Sequence, residues 1–133
     1  MNANTLQWLK KADNNFRSMQ SLLVLNDDSA NDDICVLAQQ SAEKILKALC
    51  IEHEIDFPYT HDLQKLVHLL QGQYEQLRSI EPELVALTRM GASYRYPDDF
   101  ASRSEAVRSA DLATKVRKVI RELLGPTEGM LFP

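Results

Sequence analysis

Apolar positions recur along the chain at spacings of three and four and show no two-residue alternation, so the sequence predicts helices and no strands. Leu9, Ala12, Phe16, Met19 and Leu23 form one stripe over residues 5–25, with Thr5 placed to cap it. Asn26-Asp27-Asp28-Ser29 breaks that helix, and Asn31-Asp32-Asp33 supplies a cap and favourable charge for the next. The second helix runs from about residue 33 to about 54 and has two unequal faces. Ile34, Leu37, Ala38, Ala42, Ile45, Ala48 and Leu49 fall on one arc, and Gln39, Gln40, Glu43, Lys44 and Lys47 fall opposite. An arc of about half the wheel is wider than one neighbour requires. This is therefore the expected central helix, touched by two or three others.

Ile55-Asp56-Phe57-Pro58-Tyr59 reads as a turn whose two aromatics tuck over the bundle end. Thr60 then caps a short third helix over 61–72, with Leu63, Leu66, Val67 and Leu70 inward. A fourth helix opens near Pro82, a good first-turn residue, and carries Leu84, Val85, Leu87 and Thr88 toward Tyr94. Pro97 ends it by about Tyr96. A polar loop leads to a last helix over roughly 104–124, with Leu112, Val116, Val119, Ile120 and Leu123 on one face and Gly125-Pro126 at its end. The predicted fold is all-α, an antiparallel up-and-down bundle of four to five helices. One domain is expected over residues 1–126, with 127–133 as a C-terminal tail whose Met130, Leu131 and Phe132 await a surface.

A length of 133 residues suits a single core. The net charge of −4 carries no global signature of a DNA-coating protein, although it leaves room for a local basic patch. The last helix has such a bias, with Arg103, Arg108, Lys115, Arg117, Lys118 and Arg121 against Glu105, Asp111 and Glu122. Cys35 and Cys50 lie fifteen residues apart on one helix, too far along the axis for a disulfide, and free thiols suit a reducing compartment. No apolar run approaches the ~20 residues of a membrane span, and the N-terminus has no apolar signal-peptide stretch. A cytoplasmic protein is expected. Val36, Cys50 and Ile51 on the polar side of the central helix, and Trp8 beside the first stripe, leave a dimer interface and ordinary single exposure equally open.

The chain resembles the HEPN domain family. The matching stretches are Trp8 with Ala12-Asp13, Gln39-Gln40-Ser41-Ala42-Glu43-Lys44 with Leu46-Lys47-Ala48-Leu49, His61-Asp62-Leu63 with Leu66, and Tyr94-Arg95-Tyr96-Pro97. The resemblance implies a helical bundle, usually a homodimer, with links to nucleotides or RNA and often a minimal nucleotidyltransferase partner. Many members are metal-independent ribonucleases with an Arg followed after four to six residues by a His, then commonly a Tyr. In such a site the His takes the proton from a ribose 2′-hydroxyl and the Arg stabilises charge building at phosphorus. Here Arg89 holds the Arg position and Tyr96 the trailing Tyr, but Tyr94 stands where the His belongs. A phenol with an ordinary pKa near 10 is a poor base. What remains is a degenerate motif that could bind without cleaving, and no catalytic residue is assigned.

Arg89, Tyr94, Arg95 and Tyr96 join two guanidiniums to two stacking rings, a lining suited to a nucleotide's phosphate and base. The bland alternative is a helix end with packed tyrosines and arginines paired to Asp98 and Asp99. Lys44 and Lys47 are candidate phosphate contacts, against a solvated face with a Glu43–Lys47 pair. Tyr96 is the candidate site of adenylate attachment, which the resemblance implies for toxin–antitoxin members. His61 is expected to close the third helix against Glu or a carbonyl. His61 and His68 could share a face, but no further ligand completes a metal site, so neither metal nor cofactor is expected. The expected function is a nucleotide- or RNA-binding module acting with a nucleotidyltransferase. A ribonuclease toxin with a degenerate motif and a plain dimerisation module are the alternatives.

Overall fold

A computed structural model describes residues 1–93 and 96–126. It contains α1 (Ala3–Leu25), α2 (Asn31–Glu52), α3 (Leu63–Leu70), α4 (Glu81–Ser93) and α5 (Arg103–Leu124), with short 3-10 turns at Asp28–Ala30 and Glu75–Ile80. There is no strand among the described residues. Side-chain contacts pair Thr5 with Glu52 and Asn15 with Lys44, so α1 runs antiparallel to α2. Glu83 pairs with Lys115 and Met90 lies against Ser109, so α4 runs antiparallel to α5.

α2 packs against each of the other four helices, more than the two or three expected. Ile34, Ile45, Leu46 and Leu49 are wholly buried on it. Burial of each such side chain contributes about 1.5–3 kcal/mol. Cys50, which the sequence places on the polar side of this helix, is also buried, and both cysteines are free thiols. Burial pushes the Cys50 thiol up to about 11, despite the opposing charge of Lys47.

Three helix starts differ from expectation. Asn2 caps α1 by accepting from the Thr5 amide, while Thr5 itself is buried and donates to Asn2 and Glu52. Asp62, not Thr60, caps α3, which is shorter than the predicted 61–72. Asn31 and Asp32 do not cap α2. Asn31 Nδ2 donates to the Ala101 carbonyl and Asp32 Oδ1 accepts from the Ala101 amide, which clamps the approach to α5 onto the start of α2. Asn31 and Asp32 thus meet tertiary partners in preference to local ones, whereas Thr60 accepts locally from the Asp62 amide. Ser102 caps α5 in a reciprocal capping box with Glu105.

At the other end of α2, Glu54 adopts the left-handed conformation (φ 55°), which reverses the chain. The segment after it returns alongside α2, with Phe57 near Lys47 and His61 against Glu43 and Gln39. Phe57 is half-buried as expected, but Tyr59 stands in solvent.

α4 meets α2 at Gly91. A Cβ there would lie 2.5 Å from Gln39 Cβ and 2.6 Å from its Cγ, so only a glycine permits this approach. Gly91→Ala is expected to lower stability by roughly 1–3 kcal/mol, the usual cost of overpacking. Gly72→Ala, where a Cβ meets nothing within 4 Å, is expected to leave stability unchanged or raise it slightly. Urea unfolding midpoints of the two variants check both.

Candidate functional site

The polar face of α2 is not solvated. Gln39 is 2%, Glu43 5% and Lys47 5% exposed. An ionised carboxylate and an ammonium at such depth need partners, and each has several. Glu43 Oε2 lies 3.0 Å from Lys47 Nζ, the expected i,i+4 pair, and Glu43 Oε1 lies 2.8 Å from His61 Nδ1. Gln39 Nε2 donates to Glu43 Oε1 at 3.2 Å and to the His61 carbonyl at 2.9 Å. Burial on its own raises the Glu43 pKa, but the hydrogen bonds from His61, Lys47 and Gln39 outweigh it and hold the carboxyl below its ordinary value of 4.5. His61 closes the approach to α3 against a glutamate, one of the two expected partners. It precedes α3, so it shares no helical face with His68, which pairs with Glu81.

Lys47 is also ringed by aromatics. Its Nζ lies 5.6 Å from the ring centroid of Trp8, 5.4 Å from that of Phe57 and 6.0 Å from that of Tyr59. Trp8 and Phe57 meet edge-on at 5.8 Å, as do Tyr59 and His61 at 5.3 Å. Trp8, Lys47, Tyr59 and His61 form one wall of a cleft of about 460 Å³ that Gln7, Lys11, Glu43 and Lys44 also line. Lys44 Nζ donates to Asn15 Oδ1 at 2.6 Å. Its pKa is lowered, first by burial and then by the like charge of Lys11, with Glu43 opposing. Lys11 is exposed. Two ammonium groups that repel one another, beside an exposed ring, suit an anion attached to a flat aromatic group.

The candidate residues are thus divided. Lys44 lines the cleft with its ammonium held by Asn15. Lys47 also lines it, but its charge is given to Glu43 and the rings. Arg89 is exposed on α4, two residues before the Gly91 contact with Gln39. Tyr96 is 69% exposed beyond the end of α4. Tyr94 and Arg95 lie outside the described residues, as does the tail 127–133. The sequence alone singles out neither Lys11 nor Tyr59 for binding. The available signal is that Trp8 and Lys11, three apart, sit together off the inward stripe of α1.

Trp8, Gln39, Glu43, Lys44, Lys47 and His61, drawn from three separate stretches of sequence, meet in and directly behind one cleft. The model of the HEPN domain matches residues 5–123. The chain belongs to the HEPN domain family. This HEPN domain is also similar to a solved structure, TT1696 from Thermus thermophilus, with 27% identity and a TM-score of 0.76 over 89% of this chain and 96% of that one. No curated protein matches it. No helix among its described residues is long and apolar enough to cross a membrane, and no group of three or more potential metal ligands occurs among them.

Glu43→Ala leaves the Lys47 ammonium buried without its carboxylate and is expected to cost roughly 3–5 kcal/mol. The pH dependence has a definite sign. The folded pKa of Glu43 lies below its unfolded value, so its stabilisation is present above about pH 4.5 and is lost as pH falls through the depressed value. The gap between wild type and Glu43→Gln is therefore expected to narrow below that pH. Denaturant unfolding at pH 7 and in steps below pH 4.5 measures it.

Proposed function

We propose that this HEPN domain is a nucleotide-binding module whose ligand enters the α1–α2 cleft, its base against Tyr59 and Trp8 and its phosphates toward Lys11 and Lys44. One observation carries the reading. Two mutually repelling ammonium groups and two accessible rings share one concave wall, floored by a fixed carboxylate–lysine–histidine group. Aromatic rings take the π-face of any base, and paired cations take phosphate. The cleft volume also lies within the ordinary range for small-molecule sites.

The reading extends to a partner. The exposed ring of Tyr96 is accessible to another enzyme, and the family resemblance makes a minimal nucleotidyltransferase the expected one. In that reaction the Tyr96 phenol oxygen attacks the α-phosphorus of ATP, the bond to the departing pyrophosphate breaks, and the phenolic proton is lost to solvent. A homodimer, which the family resemblance also suggests, fits a module of this kind and is measured by light scattering.

Thermal unfolding and titration calorimetry with ATP, GTP and a short RNA test the binding. A ligand at 100 times its dissociation constant stabilises the native state by about 2.7 kcal/mol, which is a shift of several degrees for a domain of this size. Lys11→Ala and Tyr59→Ala change exposed side chains and are expected to keep the fold while weakening binding about tenfold or more. Binding unchanged in both variants overturns the cleft. Absence of binding by the wild-type protein overturns the nucleotide reading itself. For the partner, the intact mass after incubation with a nucleotidyltransferase and ATP is expected to rise in wild type and not in Tyr96→Phe.

A further inference from the structure

The α1–α2 cleft is rich in hydrogen-bond donors and poor in free acceptors. Lys11, Lys44 and Lys47 offer N–H groups alone. Glu43 is the carboxylate of the lining, and both its oxygens are taken. Oε1 accepts from Gln39 Nε2 and His61 Nδ1, and Oε2 accepts from Lys47 Nζ. The Gln7 amide and the Tyr59 hydroxyl belong to exposed side chains that can turn to donate or to accept. His61 differs from these because its orientation is fixed. Its Nδ1 lies 2.8 Å from Glu43 Oε1, its carbonyl receives Gln39 Nε2 at 2.9 Å, and its ring meets that of Tyr59 edge-on at 5.3 Å. Half of the side chain nevertheless stays open to the cleft.

The partner of Nδ1 decides what Nε2 can do. Burial raises the Glu43 pKa, but the hydrogen bonds from His61, Lys47 and Gln39 outweigh it and keep the carboxyl ionised. An ionised carboxylate only accepts, so His61 Nδ1 carries a proton. A neutral imidazole has one N–H, which leaves Nε2 as a bare lone pair. Nε2 stands across the ring from Nδ1, so turning Nδ1 into the wall turns Nε2 outward. That nitrogen has no hydrogen-bond partner among the described residues. The cleft therefore holds one oriented acceptor among its cations. A lone pair repels phosphate oxygens, so the part of a ligand that meets it must be uncharged and must donate.

We infer that His61 sets the base preference of the cleft: its Nε2 accepts a hydrogen bond from the amino group of a nucleobase. The inference rests on the nucleotide reading above and names the class of base. Tyr59, the proposed base platform, is the ring beside His61, whereas Lys11 and Lys44 are the proposed phosphate contacts. Adenine and guanine carry such an amino group, and the same purines without it do not.

Titration calorimetry at about pH 8, above the range in which histidines ordinarily titrate, tests this with matched nucleotides. ATP is compared with purine riboside triphosphate, in which hydrogen replaces the 6-amino group, and GTP with ITP, which lacks the 2-amino group. The proteins are wild type and His61→Asn. The asparagine amide can keep a donor to Glu43 at the place of Nδ1 but puts nothing at the place of Nε2. Wild type is expected to bind the amino-bearing member of a pair about three- to tenfold more tightly, the worth of one neutral hydrogen bond. In His61→Asn that preference is expected to vanish, while affinity for the amine-free nucleotide stays as in wild type. Equal affinity for both members of each pair in wild type overturns the inference and leaves the nucleotide reading standing. A preference that persists in His61→Asn also overturns it, because the acceptor is then another group. Equal weakening of both members in His61→Asn does so too, because His61 then only supports the fold. If 2′,3′-dideoxy-ATP binds more weakly than ATP while purine riboside triphosphate does not, the donor is a ribose hydroxyl and the inference fails. No binding of any of the nucleotides by wild type overturns the nucleotide reading and this inference with it.

Discussion

The structure depends on how charge is kept in its central helix. α2 is packed against all four other helices, yet one of its faces carries Gln39, Glu43 and Lys47, side chains that would ordinarily hold a helix at the surface. Burial of this kind is tolerable only because each charge is matched within hydrogen-bond reach. Glu43 accepts from Lys47, Gln39 and His61, and the remaining charge of Lys47 faces three aromatic rings. Removing any one partner leaves a desolvated group behind, so these residues act as a unit. That unit dictates where α1, the Phe57–His61 segment and α4 must lie.

The same requirement explains the local geometry around it. Glu54 turns the chain back through a left-handed residue so that His61 can reach Glu43. Gln39, held at both its partners by one amide nitrogen, offers its aliphatic carbons to α4, and Gly91 is the residue that lets α4 come close enough. Arg89 and Tyr96 are carried on the helix so fixed and on the turn beyond it. The HEPN motif segment is thus attached through packing to the floor of the cleft, although the two lie far apart in sequence.

Electrostatics then gives the cleft its character. In the cleft, fixed internal pairs neutralise Glu43 and Lys47, and the positive charge left over is that of Lys11 and Lys44 beside exposed rings. That arrangement favours a flat anion that can stack.

The sequence by itself determined the helices and the class of fold. Apolar spacing of three and four is imposed by the helical repeat, and it survives in any tertiary setting. The arc on 33–54 identified α2 as central, and the order of motif stretches identified the HEPN family. The Glu43–Lys47 pair was legible too, because it is a short-range consequence of helix geometry, and a glutamate was one of the two partners expected of His61. What the sequence could not decide is which polar residues end up inside. A helical wheel assigns Glu43 and Lys47 to water because it sees one helix, and it reads Asn31 and Asp32 as caps because it sees only their neighbours. Burial and partner choice are set by segments that return from elsewhere in the chain, Phe57–His61 onto α2, Ala101 onto Asn31 and Gly91 onto Gln39. Tertiary structure alone brought Trp8, Lys11, Lys44, Tyr59 and His61 to one cleft, because contact in space depends on the path of the whole chain and not on the spacing within any one helix.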